Sequence, residues 1–138
     1  MTSSTMQLTQ RQSDRLASEQ VIWLTTVNSS GAPVPTPVWF LWSGDEFLVF
    51  SAPKTPKLAN ISRSGAVAFN FNSTEHGGDV AVFRGTARLD PEGPTPEEWE
   101  QYVAKYRGGF ASLDTSPEEF GDQYSTLIRV VPEHVRGW

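Results

Sequence analysis

Runs of β-branched and aromatic residues, several with alternating apolar and polar positions, recur along the chain between short polar segments. Runs of this length and composition are typical of strands. Most connections between them are too short for the crossovers that parallel strands need. The pattern therefore predicts a mainly β fold of antiparallel strands, with a small barrel to cover the sheet edges. The six predicted strands are Val21–Val27, Ala32–Trp42, Glu46–Ser51, Ala66–Phe71, Asp79–Leu89 and Ser125–Val131.

Turn residues refine this prediction at two places. Gly44 and Asp45 separate the second and third strands, so these two are expected to form a hairpin. The last strand is expected to end at Val131, and Val135–Trp138 then closes the chain.

Short helices are predicted where a capping residue precedes Pro or acidic residues. Two such starts, Thr95-Pro96-Glu97-Glu98 and Ser116-Pro117-Glu118-Glu119, predict helices that end near Tyr106, before Gly108-Gly109, and near Gln123. Ser13-Asp14 predicts the cap of a helix reaching Gln20, and another helix is expected from Thr55 to Arg63. Residues 1–12 are rich in Ser, Thr and Gln, so we expect them to be flexible.

Length and composition limit the class of protein. A chain of 138 residues is expected to fold as one domain over residues 1–138. Eleven Lys and Arg against sixteen Asp and Glu give a net charge of -5, which argues against a nucleic-acid partner. There is no cysteine, so disulfides, thiolate catalysis and zinc–thiolate sites are excluded. The polar start and the lack of long apolar runs favour a cytoplasmic protein with no membrane partner.

The turn after the third predicted strand carries the most informative chemistry. Ser51 and Thr55 supply hydroxyls, Lys54 and Lys57 supply ammonium groups, and a helix is predicted to begin there. The first N–H groups of a helix lack intrahelical partners and the helix dipole favours an anion, so this combination is typical of a phosphate site. The alternative is an ordinary strand–turn–helix with solvated lysines.

The segment before this turn has an unusual proline pattern. Pro33, Pro35 and Pro37 remove the amide donors from one side of the strand, and that side must face solvent, a bulge or a ligand. Donors return after Pro37, where a planar heterocycle could bind main-chain groups; the alternative is a plain edge strand. Beyond the prolines, Val38–Trp42 is apolar on both faces, so we expect it to be buried on both sides or covered by a partner subunit.

The remaining polar residues indicate no familiar catalytic or metal site. His76 and His134 have no second histidine or carboxylate at metal-ligand spacing, so both are interpreted as solvated or structural. The serines lack a nucleophile-elbow pattern. No metal is predicted, and the catalytic residues are not identified.

Taken in order and with their spacing, several segments resemble the flavin and deazaflavin oxidoreductases related to pyridoxamine 5′-phosphate oxidase, above all a small actinobacterial branch thought to use the deazaflavin F420. The resemblance implies a split β-barrel, FMN-binding-like, and a homodimer with two cofactor sites at the subunit interface. It is carried by Trp23–Val27, Gly31–Trp42, Phe47–Ser51, Lys54–Ile61, Val82–Ala87 and Val131–Trp138.

The resemblance also implies roles for individual residues. The cofactor phosphate would be held by Ser51, Lys54, Thr55, Lys57 and Asn60. The isoalloxazine or deazaflavin ring would lie against Pro37, Val38, Trp39 and Phe40. Arg84, Trp138 and Arg136 would come from the other subunit or line the substrate side.

The function implied by the resemblance is an F420-dependent reductase that transfers a hydride to a small organic acceptor. The alternatives are an FMN-binding protein similar to pyridoxamine 5′-phosphate oxidase and a non-catalytic carrier of a flavin or F420. Lys54, Arg63 and Arg88 are candidates to meet the polyglutamate tail of F420. The additional basic residues that pyridoxamine phosphate oxidases use for their substrate phosphate are not found, which argues against that substrate.

Overall fold

Seven antiparallel strands form one sheet in the computed structural model, which describes residues 6–138. The sheet order is β2-β1-β5-β6-β7-β4-β3, so it curves as a half-barrel between the edge strands β2 and β3. This confirms the predicted mainly β, split-barrel fold. The strands are β1 (Ile22–Val27), β2 (Pro33–Val38), β3 (Leu41–Trp42), β4 (Phe47–Ser51), β5 (Ala66–Asn70), β6 (Ala81–Asp90) and β7 (Thr126–Gly137).

Five short helices accompany the sheet in residues 6–138. Two of the predicted start signals are confirmed: Thr95 and Ser116 each accept a hydrogen bond from the backbone of the first turn and form a capping box. None of the five helices is long and apolar enough to cross a membrane. The helices are α1 (Gln10–Ser18), α2 (Pro56–Arg63), α3 (Pro96–Lys105), α4 (Arg107–Ser112) and α5 (Pro117–Gln123).

The predicted strand Ala32–Trp42 is in fact two strands with different neighbours. β2 pairs with β1, whereas β3 pairs with β4 in the predicted hairpin. At the break the amide of Phe40 donates to the hydroxyl of Tyr106, and its carbonyl accepts from the ammonium group of Lys105. Within the described chain β2 is an edge strand, so its prolines need no partner on the outer side.

The N-terminal helix begins earlier than predicted. Its cap is Thr9, whose hydroxyl accepts from the Gln12 amide while the Gln12 side chain accepts from the Thr9 amide. The prediction of a cap at Ser13-Asp14 is therefore wrong. Residues 10–12 belong to this helix, with Gln12 only 7% exposed, and the expected flexibility of residues 1–12 stays a prediction. Residues 1–5 lie outside the described part of the chain.

The ends of α3 and of the last strand compare differently with the prediction. The predicted end of α3 near Tyr106, before Gly108-Gly109, is confirmed, since α3 ends at Lys105 with Tyr106 as its C-cap; the two glycines lie in a separate helix, α4, that was not predicted. The last strand does not end at Val131 but runs to Gly137, pairing with β6 along its length. A β-bulge shifts the register of this pairing between Arg84 and Gly85, so that Arg84 pairs with His134 and Gly85 pairs with Pro132. Gly85 is required there, since a Cβ at this position would lie 2.2 Å from the carbonyl oxygen of Val131.

Apolar side chains form two clusters on opposite faces of the sheet. One fills the half-barrel around Phe40, Phe47, Phe69 and Phe83. The other lies between the sheet and helices α3–α5 and contains Leu48, Tyr102, Tyr106, Phe110 and Phe120. The segment after the prolines separates them: Val38, Phe40 and Trp42 pack with the first cluster, and Trp39 and Leu41 with the second. Phe40 and Leu41 are buried, and Val38, Trp39 and Trp42 are half-buried, so both faces of the segment pack against apolar side chains of the same chain; cover by a partner subunit stays a prediction.

Candidate functional site

A groove of about 340 Å³ brings the two predicted halves of the site together. It lies where the end of β2 meets the end of β4 and the start of α2, with α3 and α5 on its other side. Pro37, Val38 and Trp39, predicted to meet a ring, line the same groove as Ser51, Thr55 and Lys57, predicted to hold a phosphate.

The polar end of the groove is the start of α2. Ser51 is buried, and its hydroxyl oxygen lies 3.0 Å from that of Thr55. Thr55 is the N-cap of α2, yet its side chain makes no capping hydrogen bond, unlike those of Thr9 and Thr95. Pro56 has no N–H and the Leu58 amide donates to the Thr55 carbonyl, so the amide of Lys57 is the first-turn donor left without an acceptor in the described chain.

The side chain of Lys57 is a cation without an ion-pair partner in the described part of the chain. It is half-buried on the wall of the groove, and no carboxylate lies within ion-pair distance of its ammonium group. Burial lowers the pKa of Lys57, because taking the ammonium group out of water penalises the charged form. An anion in the groove would compensate for that penalty.

The other wall of the groove is aromatic and rigid. Trp39 stacks on Tyr106, with ring centroids 4.3 Å apart and planes 4° from parallel, and on Phe120 at 5.5 Å. Phe50 closes the wall through an edge contact with Tyr102 at 4.7 Å. A flat, partly apolar ligand is the shape and chemistry that such a wall accommodates.

Residues at the end of helix α3 fix the backbone at Phe40, next to the residues predicted to lie along the ring. The Lys105 ammonium donates to the Phe40 carbonyl at 2.7 Å and lies 3.6 Å from the centroid of the Phe40 ring. Burial lowers the pKa of Lys105 to about 8. The Tyr106 hydroxyl also bonds to the Phe40 backbone and reaches the Gln20 carbonyl. These contacts fix where the chain turns from β2 into β3.

Three of the residues predicted to contact the phosphate or the ring do not line the groove. Phe40 lies in the core, with its main-chain groups engaged by Tyr106 and Lys105. Asn60 is buried, donates to the Thr26 hydroxyl at 3.0 Å and accepts from Arg63. Lys54 is exposed and adopts a left-handed backbone conformation with φ 67°. The structure assigns Phe40 and Asn60 intramolecular contacts, so their direct contact with a cofactor stays a prediction.

Arg84 and Arg136 line a second groove, of about 500 Å³, on the outer face of β5, β6 and β7. His134, which pairs with Arg84 across the β6–β7 ladder, lies beside them. Trp138 is 72% exposed and lies apart from this groove, where its indole N–H donates to the Gly77 carbonyl at 2.8 Å. Arg84 and Arg136 therefore line the same groove, and neither of them lines the first groove of the same chain.

The aromatic residues contributed by the helices were not predicted from the sequence. A signal was available, because Trp99, Tyr102 and Tyr106 have the i, i+3, i+7 spacing of one helix face. No spacing, however, indicates which strand that face covers. Within residues 6–138 no group of three or more His, Asp and Glu side chains could hold a metal ion. The missed residues that line the groove are Phe50, Ala52, Tyr102, Leu113, Phe120 and Tyr124.

Replacing Gly109 by alanine is expected to destabilise the protein, because the new Cβ would lie 2.8 Å from the Trp39 ring. Trp39 is held between Tyr106 and Phe120 and cannot move aside cheaply, so we expect a loss of about 1–3 kcal/mol in the free energy of unfolding. The matched control is Gly108→Ala, where nothing lies within 4 Å of the added methyl group. That variant is expected to be neutral or slightly more stable in denaturant titration. Equal effects at the two positions would contradict the packing described for Trp39.

Comparison with known proteins gives a consistent result. Residues 8–138 match the family model described as pyridoxamine 5′-phosphate oxidase. Similar solved structures include an F420 reductase (TM-score 0.68, 22% identity, 89% of this chain and 94% of that chain). They also include HutZ, a heme storage protein from Vibrio cholerae (TM-score 0.68, 16%, 96% and 95%), and an FAD-binding protein from Mesorhizobium loti (TM-score 0.65, 15%, 89% and 88%). At these identities the likeness shows the fold. No curated protein matches the chain.

Proposed function

Because this chain belongs to the pyridoxamine 5′-phosphate oxidase family, we propose that its first groove binds a phosphate-bearing tricyclic cofactor, F420 or alternatively FMN, and that the protein is an oxidoreductase. One observation carries the proposal: an unpaired cation beside a helix start and a rigid aromatic wall share a single groove. F420 and FMN each join a phosphate to a planar ring system. The groove offers a matching surface to each part.

The residues present divide the binding task. Lys57, the Lys57 amide and the hydroxyls of Ser51 and Thr55 would hold the phosphate at the start of α2, where the helix dipole also favours an anion. Pro37, Val38 and Trp39 would lie along the ring. Lys54 lies in the turn before α2 and Asn60 lies within α2, so both would stabilise the phosphate end of the site without lining the groove.

The chemistry of the reaction would come from the cofactor, which supplies a hydride to a small organic acceptor. The protein would bind and orient the ring and exclude water from its aromatic face. We further propose a homodimer with cofactor sites at the interface, in which Arg84, Arg136 and Trp138 of one subunit face the first groove of the other. The exposed Arg84 and Arg136, side by side on the outer face of the sheet, support this proposal.

A second candidate function is binding without turnover, as a carrier of a flavin or F420. A similar solved structure supports it, because HutZ, which shares this fold, is a heme storage protein. The two candidates share the same site and differ only in whether the bound, reduced cofactor is reoxidised by an organic acceptor.

The experiment that tests the proposal is equilibrium binding of F420 and FMN in parallel, followed by quenching of tryptophan fluorescence. Trp39 lies on the groove wall and should report occupancy directly. Tight F420 with weak FMN would support a deazaflavin reductase, and the reverse would support a flavin protein. Reoxidation of the bound, reduced cofactor by enoate-type acceptors would then separate the enzyme from the carrier. If neither cofactor binds, the proposed function is wrong.

A further inference from the structure

Tyr102 stands out among the buried polar groups of the chain. It is 1% exposed and lines the first groove, and its hydroxyl makes no hydrogen bond within residues 6–138. That hydroxyl is nevertheless not a sealed polar atom, because the buried side-chain atom without a partner in the described chain is an oxygen of Glu46, so we infer that the small exposed area of Tyr102 opens on the groove. Tyr106, one turn later at the C-cap of α3, is equally buried but fully engaged. Its hydroxyl accepts from the Phe40 amide at 2.8 Å and lies 2.7 Å from the Gln20 carbonyl oxygen, to which it donates.

An unpartnered phenol in this position needs a physical account. Buried tyrosine hydroxyls usually find a partner, because an unmet hydrogen bond costs free energy that the ring's apolar packing does not return. Rings surround Tyr102: Phe50 at 4.7 Å, Trp99 at 5.8 Å and Phe120 at 6.0 Å between centroids. Those three rings offer no acceptor, and the Tyr106 ring, 4.9 Å away between centroids, has its hydroxyl engaged with Phe40 and Gln20. The groove that Tyr102 lines is the side from which an acceptor on a ligand can reach its hydroxyl.

The position of Tyr102 also indicates which part of a ligand it would meet. Tyr102 contacts Phe120, and Phe120 stacks on Trp39, so the phenol belongs to the aromatic wall rather than to the start of α2. A group bound against that wall is the flat part of the ligand. Oxygen acceptors on the flat part of a conjugated molecule are ring carbonyls and the groups attached next to them.

We propose that the Tyr102 hydroxyl donates a hydrogen bond to a carbonyl oxygen on the planar part of the ligand in the first groove. This inference rests on the proposed function, because it takes that groove as the cofactor site. It makes Tyr102 a binding residue that selects a conjugated carbonyl over a purely apolar ring. Burial, together with the nearby Tyr106 and Tyr124, raises the pKa of Tyr102, so the phenol stays protonated and able to donate at neutral and mildly alkaline pH.

The test uses Tyr102→Phe with Tyr106→Phe as the matched control; Tyr102 lies on α3 and Tyr106 is its C-cap, and each variant loses only a hydroxyl. Melting temperature is measured on the ligand-free proteins, and affinity is measured for FMN, riboflavin and F420. Tyr102→Phe is expected to melt at or above the wild-type temperature and to bind FMN and riboflavin about tenfold more weakly, as for one lost hydrogen bond. Tyr106→Phe is expected to melt at a lower temperature than the wild type, because the Phe40 amide and the Gln20 carbonyl lose their hydrogen-bond partner. Its loss of ligand affinity is expected to be smaller than that of Tyr102→Phe.

Several outcomes would overturn the inference. Tyr102→Phe melting as low as Tyr106→Phe would mean that the Tyr102 hydroxyl has a partner in the free protein. Unchanged affinity for every ligand that the wild type binds would mean that the hydroxyl does not reach the ligand. A loss of affinity for FMN but not for riboflavin would mean that the Tyr102 hydroxyl donates to the phosphate and not to a ring carbonyl. If the wild-type protein binds none of the three, the proposed function fails, and this inference fails with it whatever the melting temperatures show.

Discussion

Replacing Lys57 by alanine is expected to weaken binding of FMN and F420 by about 10- to 100-fold, the range of one charge-assisted hydrogen bond to a phosphate. Lys57 is the cation that lines the groove, and no carboxylate in the described chain neutralises it. The loss should be measured as a dissociation constant at fixed ionic strength, because salt screens the interaction. The melting temperature without ligand should change little, since Lys57 makes no ion pair that the substitution would break.

Two comparisons make this prediction specific. Riboflavin lacks the phosphate, so Lys57→Ala should leave its affinity nearly unchanged. Lys54→Ala removes a cation from the same turn, but Lys54 is exposed and does not line the groove, so a smaller loss is expected. Equal losses at Lys54 and Lys57, or equal losses for FMN and riboflavin, would contradict the phosphate role given to Lys57.

The pH dependence provides an independent check. Burial lowers the pKa of Lys57 in the free protein, and a bound phosphate would raise it again. FMN affinity should therefore be constant at neutral pH and should fall as the pH rises through the lowered pKa of Lys57, where the free protein loses the charge. Riboflavin affinity should show no such fall. A parallel decline for both ligands would assign the effect to another group.

The strands and the polar end of the site could be predicted because their signals are local. Val21–Val27 and Ala66–Phe71 read as strands from β-branched and aromatic composition, and both are strands within one residue. The turn from Ser51 to Lys57 could be interpreted because each residue type acts through its own chemistry at a helix start. The prolines before Val38 indicated an edge strand or a ligand, and β2 is an edge strand of the described sheet.

The aromatic wall could not be predicted, because it depends on which helix covers which strand. The spacing of Trp99, Tyr102 and Tyr106 defines a face of α3 but not the neighbour of that face. Asn60 shows the same limit. The resemblance implied a phosphate role for it, and its amide donates to Thr26, 34 positions away in sequence, a contact that no local pattern indicates; its contact with a cofactor stays a prediction. Long-range pairing also explains β7, whose last residues are strand because β6 lies beside them.

Helix α3, which carries Tyr102, is held to the sheet by a buried cluster centred on Arg129. The guanidinium bonds to both oxygens of Glu98 on α3, at 2.9 and 2.7 Å, and to Asp90 at the end of β6, at 2.6 Å. Glu46 lies 3.8 Å away, and one of its oxygens is buried without a hydrogen bond. One guanidinium group therefore lies beside three carboxylates and is hydrogen-bonded to two of them.

Replacing Arg129 by methionine is expected to lower the free energy of unfolding by about 1–3 kcal/mol, since it removes the charge-assisted hydrogen bonds that the buried guanidinium makes to the partly exposed Glu98. Hydrogen bonds from Arg129 lower the pKa of Glu98 and of Asp90. A lowered pKa gives stability that is present above the unfolded-state value and is lost as the pH falls through the folded-state value. The difference between the variant and the wild type should thus be largest at neutral pH and shrink in acid.

Glu46→Gln is the matched control, with the opposite expected sign. Burial raises the pKa of Glu46, so its charged form costs stability at neutral pH, and that cost disappears in acid, where the carboxyl group is protonated in both states. This variant should match or exceed the wild-type melting temperature at neutral pH and lose any advantage in acid. A similar loss of stability in both variants would mean that Glu46 is an equal partner of Arg129. No loss in Arg129→Met would mean that apolar packing alone holds α3, and with it the aromatic wall of the groove, against the sheet.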